Sequence, residues 1–277
     1  MQIESGLRNL RKASTATSVF AILLILAGLA EIGLGGMAVK QEHERIAAVE
    51  EEMRKASAFY GYRDRYRTRN DPYASYNKSS SAFVSQGRFI PASDSIAKSE
   101  PTAIAFMVLA LSALAFLASA LFWVWRAHAN LREVGIRAKY GPGKALAAYL
   151  IPVVNLILPF EAMRELYNRS HGEPEDFAHS TVEDVTAWWT AVVVGLLIFS
   201  AMVVKFLFDL GTNLVIMTPL WMEYAIASFA ICLLLGSAYL FAGLTRRITQ
   251  AQSEYLPSVD PGELLQEEPQ RPSVSLR

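Results

Sequence analysis

A chain of 277 residues, 52% of them hydrophobic and with positive mean hydropathy, is long enough for a large soluble domain. Its apolar residues lie in long runs in place of helical stripes, which excludes that class. Lysine plus arginine equal aspartate plus glutamate at 26 each, so no net basic field argues for nucleic acid, and the single cysteine, Cys232, excludes an intrachain disulfide.

Residues 1–16 carry Arg8, Arg11 and Lys12 ahead of an apolar run that continues past a weak small-residue cleavage site at Gly28–Ala30 to Val39. The run is therefore expected to be an uncleaved first transmembrane helix, 17–39, preceded by a cytoplasmic N-terminus. Glu31 lies within it, and an ionisable group at that depth is a functional candidate unless packing against neighbouring helices accounts for it.

Residues 40–101 form the large polar region, expected to be an extracytoplasmic loop. Ile46, Val49, Met53 and Ala56 recur at three- and four-residue steps, which predicts an amphipathic extension of the first helix to near Gly61. The following stretch interleaves Arg63, Arg65, Arg67 and Arg69 with tyrosines. A solvated loop, then lipid headgroup contact, accounts for it ahead of base stacking.

The second apolar run, 102–124, closes in an interfacial belt of Trp123, Trp125 and Arg126, followed by Arg132, Arg137, Lys139 and Lys144. So much positive charge in a short loop places it in the cytoplasm. Ala145–Phe160 comes next, apolar but only about 24 Å long as a helix against the ~30 Å hydrocarbon core. Pro152 breaks it, Asn155 puts an amide into it and Pro159 closes it. It is expected to be a re-entrant or interfacial broken helix, 145–160. An acidic connector leads to Trp188 and Trp189, which open the third span, 187–208, with Lys205 near its far end able to snorkel. Residues 209–223 hold no Lys or Arg, as suits an outer loop. The last span, 224–244, carries Ser228, Cys232 and Gly236 at four-residue steps, a cue for close helix packing, and is followed by Arg246, Arg247 and a tail, 246–277, expected to be disordered. If 145–160 dips in and returns, both termini, the basic loop and Arg246/Arg247 share the cytoplasmic side, in accord with the positive-inside rule. A full crossing breaks that rule. Eleven Lys/Arg in 40–101 do not oppose this, since long loops translocate largely regardless of charge.

Motifs for chemistry are weak. Gly141-Pro142-Gly143-Lys144 has Ala138 and Ala145 where a phosphate-binding loop needs Gly and Ser/Thr, so it reads as a turn. Ser75/Lys78 and Ser95/Lys98 lack the partner motifs of a serine acylase. Asp176 and His179 share a helical face without further ligands, and His128 is an interfacial histidine needing no special role. No nucleophile triad, metal box or dinucleotide fingerprint is found, so neither catalytic residues nor a cofactor are expected. What remains is a candidate polar cluster of Arg126, Asn130, Asn155, Glu161, Arg164 and Glu165, brought together if the broken helix folds back on the second span. Free backbone around Pro152 calls either for polar side chains that satisfy it or for a small hydrated pocket.

Trp123, Arg126, Asn130-Leu131, Pro142, Ile151-Pro152, Asn155-Leu156, Pro159 and the run Glu161–Leu166 together resemble a family of bacterial multi-pass membrane proteins catalogued as domain of unknown function 4328. The resemblance covers about residues 100–245. It implies a four-span membrane protein and brings no activity with it. Leu158 and Tyr167 stand where members often carry a basic residue and a tryptophan. The expected fold is thus an all-α polytopic bundle, four transmembrane helices plus a short Pro-broken helix, in a bacterial inner membrane. The expected role is a non-enzymatic structural or regulatory component, with the bilayer and a membrane-protein partner or second copy as contacts and no nucleic acid. The alternative is a small-solute or ion transporter using Pro152, Asn155 and Glu31.

Overall fold

The computed structural model describes residues 2–60, 101–151, 157–174, 182–211 and 219–259. Among them the secondary structure is helical: α1 (Gln2–Tyr60), α2 (Pro101–Glu133), α3 (Pro142–Leu150), α4 (Leu158–Ser170), α5 (Val182–Gly211) and α6 (Leu220–Tyr255), closed by a 3-10 turn at Leu256–Ser258. Four helices are long and apolar enough to cross a membrane, over Ile3–Ala48, Ile104–Glu133, Glu183–Phe208 and Trp221–Ser258. The fold is an all-α bundle of membrane type. The Arg/Tyr stretch, both Ser-x-x-Lys pairs, Pro152, Asn155, Asp176 and His179 lie outside the described residues.

The chain divides into two compact units. The first comprises Met1–Ile22, Ala113–Ala191 and Gly236–Arg277. On α1 its buried positions include Leu7, Leu10, Ser14, Thr17 and Ala21, steps of three and four that lay one face of the helix inward. Phe241 of α6 sits in its aromatic core, edge-on to Phe116 at 6.0 Å and to Trp123 at 5.9 Å, and tilted against Trp188 at 5.4 Å. Where an unstructured polar tail is expected from residue 246, α6 continues as helix to Tyr255. Thr245, Ile248, Thr249, Gln252 and Leu256 repeat at helical spacing and are buried, so these polar groups are packed and not solvated.

Glycine ends two helices of this unit. After α2, Gly135 adopts φ +89°, with Ile136 N–H donating to Leu131 O (3.0 Å) and Gly135 N–H to Arg132 O (3.1 Å). After α4, Gly172 adopts φ +77°, with Glu173 N–H donating to Asn168 O (3.0 Å) and Gly172 N–H to Arg169 O (3.3 Å). Both are Schellman turns, which satisfy the last carbonyls and need a left-handed residue.

The segment read as a broken helix is helical on both sides of its prolines. α3 begins with Pro142 in its first turn and stops at Leu150, where Ile151 turns extended (φ −92°, ψ 114°). A residue before proline is driven out of the helical region by the ring, so Pro152 accounts for that stop. α4 restarts at Leu158 with Pro159 in its first turn and packs against α3.

The second unit comprises Leu23–Ser112 and Val192–Leu235. Gly28 approaches Leu235 so closely that an added Cβ would lie 2.6 Å from its Cδ1. Tyr224 donates its hydroxyl to Ile32 O at 2.6 Å, and Glu31 is buried. Lys205 does not simply snorkel: its Nζ lies 2.9 Å from Glu223 Oε1, with little of either side chain exposed. The small-residue stripe on the last span also differs from expectation. Cys232 is exposed and Gly236 and Gly243 meet open space, while Ala227, Ala230, Leu235 and Ala238 form the buried side of α6.

Candidate functional site

Four side chains of α2 and α6 in the first unit meet in a buried polar seam. Trp123 Nε1 donates to Thr249 Oγ1 at 3.0 Å. Two turns along, Asn130 Nδ2 donates to Gln252 Oε1 at 3.2 Å. The Gln252 amide then donates to Ala127 O and to Ser170 Oγ, both at 3.1 Å. One fully buried glutamine therefore joins α2, α4 and α6. α1 closes the seam from the side: Ser14 Oγ lies 3.5 Å from Thr245 Oγ1, Arg246 Nε donates to Ser18 Oγ at 2.9 Å, and Arg11 Nε to Ser253 Oγ at 3.2 Å. Buried polar groups bonded in this way fix one register between helices, because any slip leaves an amide unpaired.

Arg126 stands at the rim of this seam. Its guanidinium forks onto Glu133 (3.0 and 3.1 Å), and its Nε reaches Gly6 O at 3.5 Å. A Cβ at Gly6 would collide with that guanidinium and lie 2.6 Å from Asn130 Oδ1. The absence of a side chain at Gly6 is what lets α1 pass so near. Asn130 Oδ1 itself is buried without a hydrogen-bond partner among the described residues.

A second polar group ties the loop before α3 to α4. Glu165, 4% exposed, accepts the backbone N–H of Lys139 (2.5 Å) and of Tyr140 (3.0 Å). One turn earlier, Glu161 accepts the Tyr140 hydroxyl and lies 3.7 Å from Lys139 Nζ. The Tyr140 bond, helped by Lys139 and Arg164 against partial desolvation, holds the Glu161 carboxyl below its ordinary value. The same bond raises the Tyr140 phenol. Both groups lie in the polar base of the α3–α4 hairpin.

Five of the six residues of the expected cluster lie among the described residues, and their bonds fall in two groups. Arg126 and Asn130 belong to the seam, while Glu161 and Glu165 clamp the hairpin base with Arg164 beside them. Asn155 lies outside the described residues, and Glu31 belongs to the second unit. His128, read as interfacial, is 2% exposed, and its Nδ1 has no hydrogen-bond partner among the described residues. Gln252, Thr249, Ser170, Tyr140 and Gly6 were not singled out from the sequence. The spacing of Thr245, Thr249, Gln252 and Leu256, steps of four, three and four that continue the period of the last span, is the signal that points to the first two.

No curated protein and no solved structure matches the chain. The model of one family, described as Domain of unknown function (DUF4328), matches residues 91–250, which takes in α2 to α4, the third span and most of α6, with all the seam residues of α2, α4 and α6 except Gln252 and Ser253. The matched residues are more than half of the chain, and the chain belongs to the DUF4328 family.

Proposed function

We propose that this is a multi-pass protein of a bacterial inner membrane with both termini and the basic loop in the cytoplasm, acting as a non-enzymatic structural or regulatory component. The α3–α4 hairpin enters and leaves by the cytoplasmic face and serves as a fixed platform for a membrane-protein partner or a second copy. The observation that carries this reading is Gln252, which bonds to Asn130, Ala127 and Ser170 and so locks the leg of the hairpin to two apolar helices. A gating element must change its contacts, whereas a buried and mutually bonded amide resists that change. A second reading, an ion or small-solute path using Pro152, Asn155 and Glu31, draws support from Lys205, Glu223 and buried Glu31. Ionisable groups within apolar helices of a membrane protein mark ion paths in many cases.

Reconstitution into proteoliposomes separates the two. The structural reading expects proton and monovalent-cation leak to equal that of empty vesicles and to be unmoved by Glu31→Gln. Flux above that background, abolished by Glu31→Gln, overturns it in favour of transport.

A further inference from the structure

Two helices of the first unit carry cations on their outward faces at one level. On α1, Arg8, Lys12, Thr15, Val19 and Ile22 are exposed at steps of four and three, while Leu7, Leu10, Ser14 and Thr17 face inward. Neither the Arg8 nor the Lys12 side chain has a hydrogen bond or ion pair among the described residues, whereas Arg11 is taken by Ser253 at 3.2 Å. Glu4, exposed one turn before Arg8, does not pair with it. On α2, Phe122 and Trp125 are exposed and tilted against each other at 6.1 Å. Arg132, seven residues past Trp125, is exposed and likewise without a side-chain partner among the described residues. The levels follow from the packing. α1 runs antiparallel to α6, since Arg11 meets Ser253 and Ser18 meets Arg246, and α6 runs parallel to α2, since Thr249 meets Trp123 and Gln252 meets Asn130. Helical side chains lean toward their own N-terminus, so Arg8 and Lys12 lean away from the apolar run of α1 while Arg132 leans back toward that of α2. Both leans converge on the level at which Gly6 passes Asn130.

We infer that the Arg8–Lys12 face of α1 is a binding site for the headgroup of an anionic phospholipid: the two cations take the phosphate, and Val19 and Ile22 line the acyl chains below it. This rests on the membrane reading above and adds the lipid class and the residues that hold it. Residues four apart on a helix are neighbours, so Arg8 and Lys12 repel each other across an exposed turn, and an anion between them turns that repulsion into attraction. Lys12 and Val19 are about 10 Å apart along the axis, which sets the ammonium above the acyl chains and keeps both within reach of one lipid. Val19 and Ile22, 49% and 53% exposed, favour a lipid over a free phosphate, because a free anion gains nothing from them. On α2, Trp125 lies below Arg132 as an interfacial indole does, so that helix places the headgroup layer at the same level.

The test uses the full-length chain in liposomes, with Cys232→Ser as background and a fluorophore at Thr15→Cys, in the middle of the stripe, or at Ile22→Cys. Nitroxide-labelled phosphatidylglycerol and nitroxide-labelled phosphatidylcholine are the quenchers. The site expects phosphatidylglycerol to quench at Thr15→Cys in preference to phosphatidylcholine. Arg8→Gln and Lys12→Gln are each expected to lower that preference about fivefold. Equal quenching by the two lipids, or a preference unmoved by both substitutions, overturns the site. An equal loss from Arg132→Gln, on the other helix, means a diffuse field in place of a site and also overturns it. Quenching at Ile22→Cys by neither lipid refutes the membrane reading itself, whereas quenching there with no preference at Thr15→Cys refutes the headgroup site alone.

Discussion

Asn130 and Gln252 stand 122 residues apart in sequence and meet amide to amide at 3.2 Å, both fully buried. Neither side chain is apolar, and each costs free energy to bury unless bonded, so bonded to each other they cost less than either left alone. That asymmetry makes the pair a device for register.

Gln252→Leu leaves the Asn130 amide N–H without its acceptor in a dry interior, while Ser170 keeps its bond to Leu166 O, and is expected to destabilise the first unit by about 2 kcal/mol or more. The double substitution Asn130→Leu/Gln252→Leu removes both amides and is expected to recover to within about 1 kcal/mol of the parent. Thermal unfolding in detergent micelles measures both. Additive losses would show that the two amides act separately.

Glu165→Ala frees two backbone N–H groups at the mouth of the hairpin, at a cost of about 2 kcal/mol. Amide hydrogen exchange at Lys139 and Tyr140 is expected to accelerate while exchange in the middle of α2 stays unchanged. Unaltered protection at both amides would mean that Glu165 does not hold the loop.

The Tyr140–Glu161 bond is pH-dependent with a definite sign. Glu161 has its folded pKa depressed from the ordinary 4.5, so its contribution is present above that value and lost as pH falls through the lowered folded value. Tyr140 has its folded pKa raised from 10.0, so its contribution is present below that value and lost as pH rises through the raised one. The stability difference between the parent and Tyr140→Phe is expected to be flat from weakly acid to weakly alkaline pH and to fade at both extremes. Glu161 is half-exposed, so the difference is small, below about 1 kcal/mol. A difference that grows as the solution is acidified would contradict the assignment.

Two glycines with the same backbone need separate the strain of the left-handed turn from crowding. Gly135→Ala meets open space and is expected to cost only the left-handed strain, about 1 kcal/mol. Gly172→Ala carries that strain and also sets a Cβ 2.8 Å from Tyr255 Cε2, so its cost is expected to be larger. Paired melting curves give the order, and equal losses would show that Tyr255 yields freely.

The four apolar helices were legible because bilayer thickness imposes a long run of apolar residues that no soluble helix needs. The interruption before Pro152 was legible because proline acts on its own neighbours, and Ile151 is extended as that rule requires. The seam was not. Gln252 and Ser170 lie in polar stretches that look solvated until the third dimension sets them against Asn130, and composition carries no information about such long-range pairing. Glu165 was singled out for its place in the family pattern, and its partners, two backbone N–H groups, leave no mark in a sequence. Lys205 looked like an end-of-helix lysine because Glu223, its partner, lies in the next helix, 18 residues on in the chain.

The central claim is that the proline-flanked hairpin returns to the face it came from, and side-selective thiol labelling at Arg137→Cys and Arg246→Cys in a Cys232→Ser background tests it most directly. The account predicts that an impermeant maleimide added to intact spheroplasts leaves both unlabelled and that opening the membrane exposes both together. Labelling of one and not the other in intact cells would contradict it.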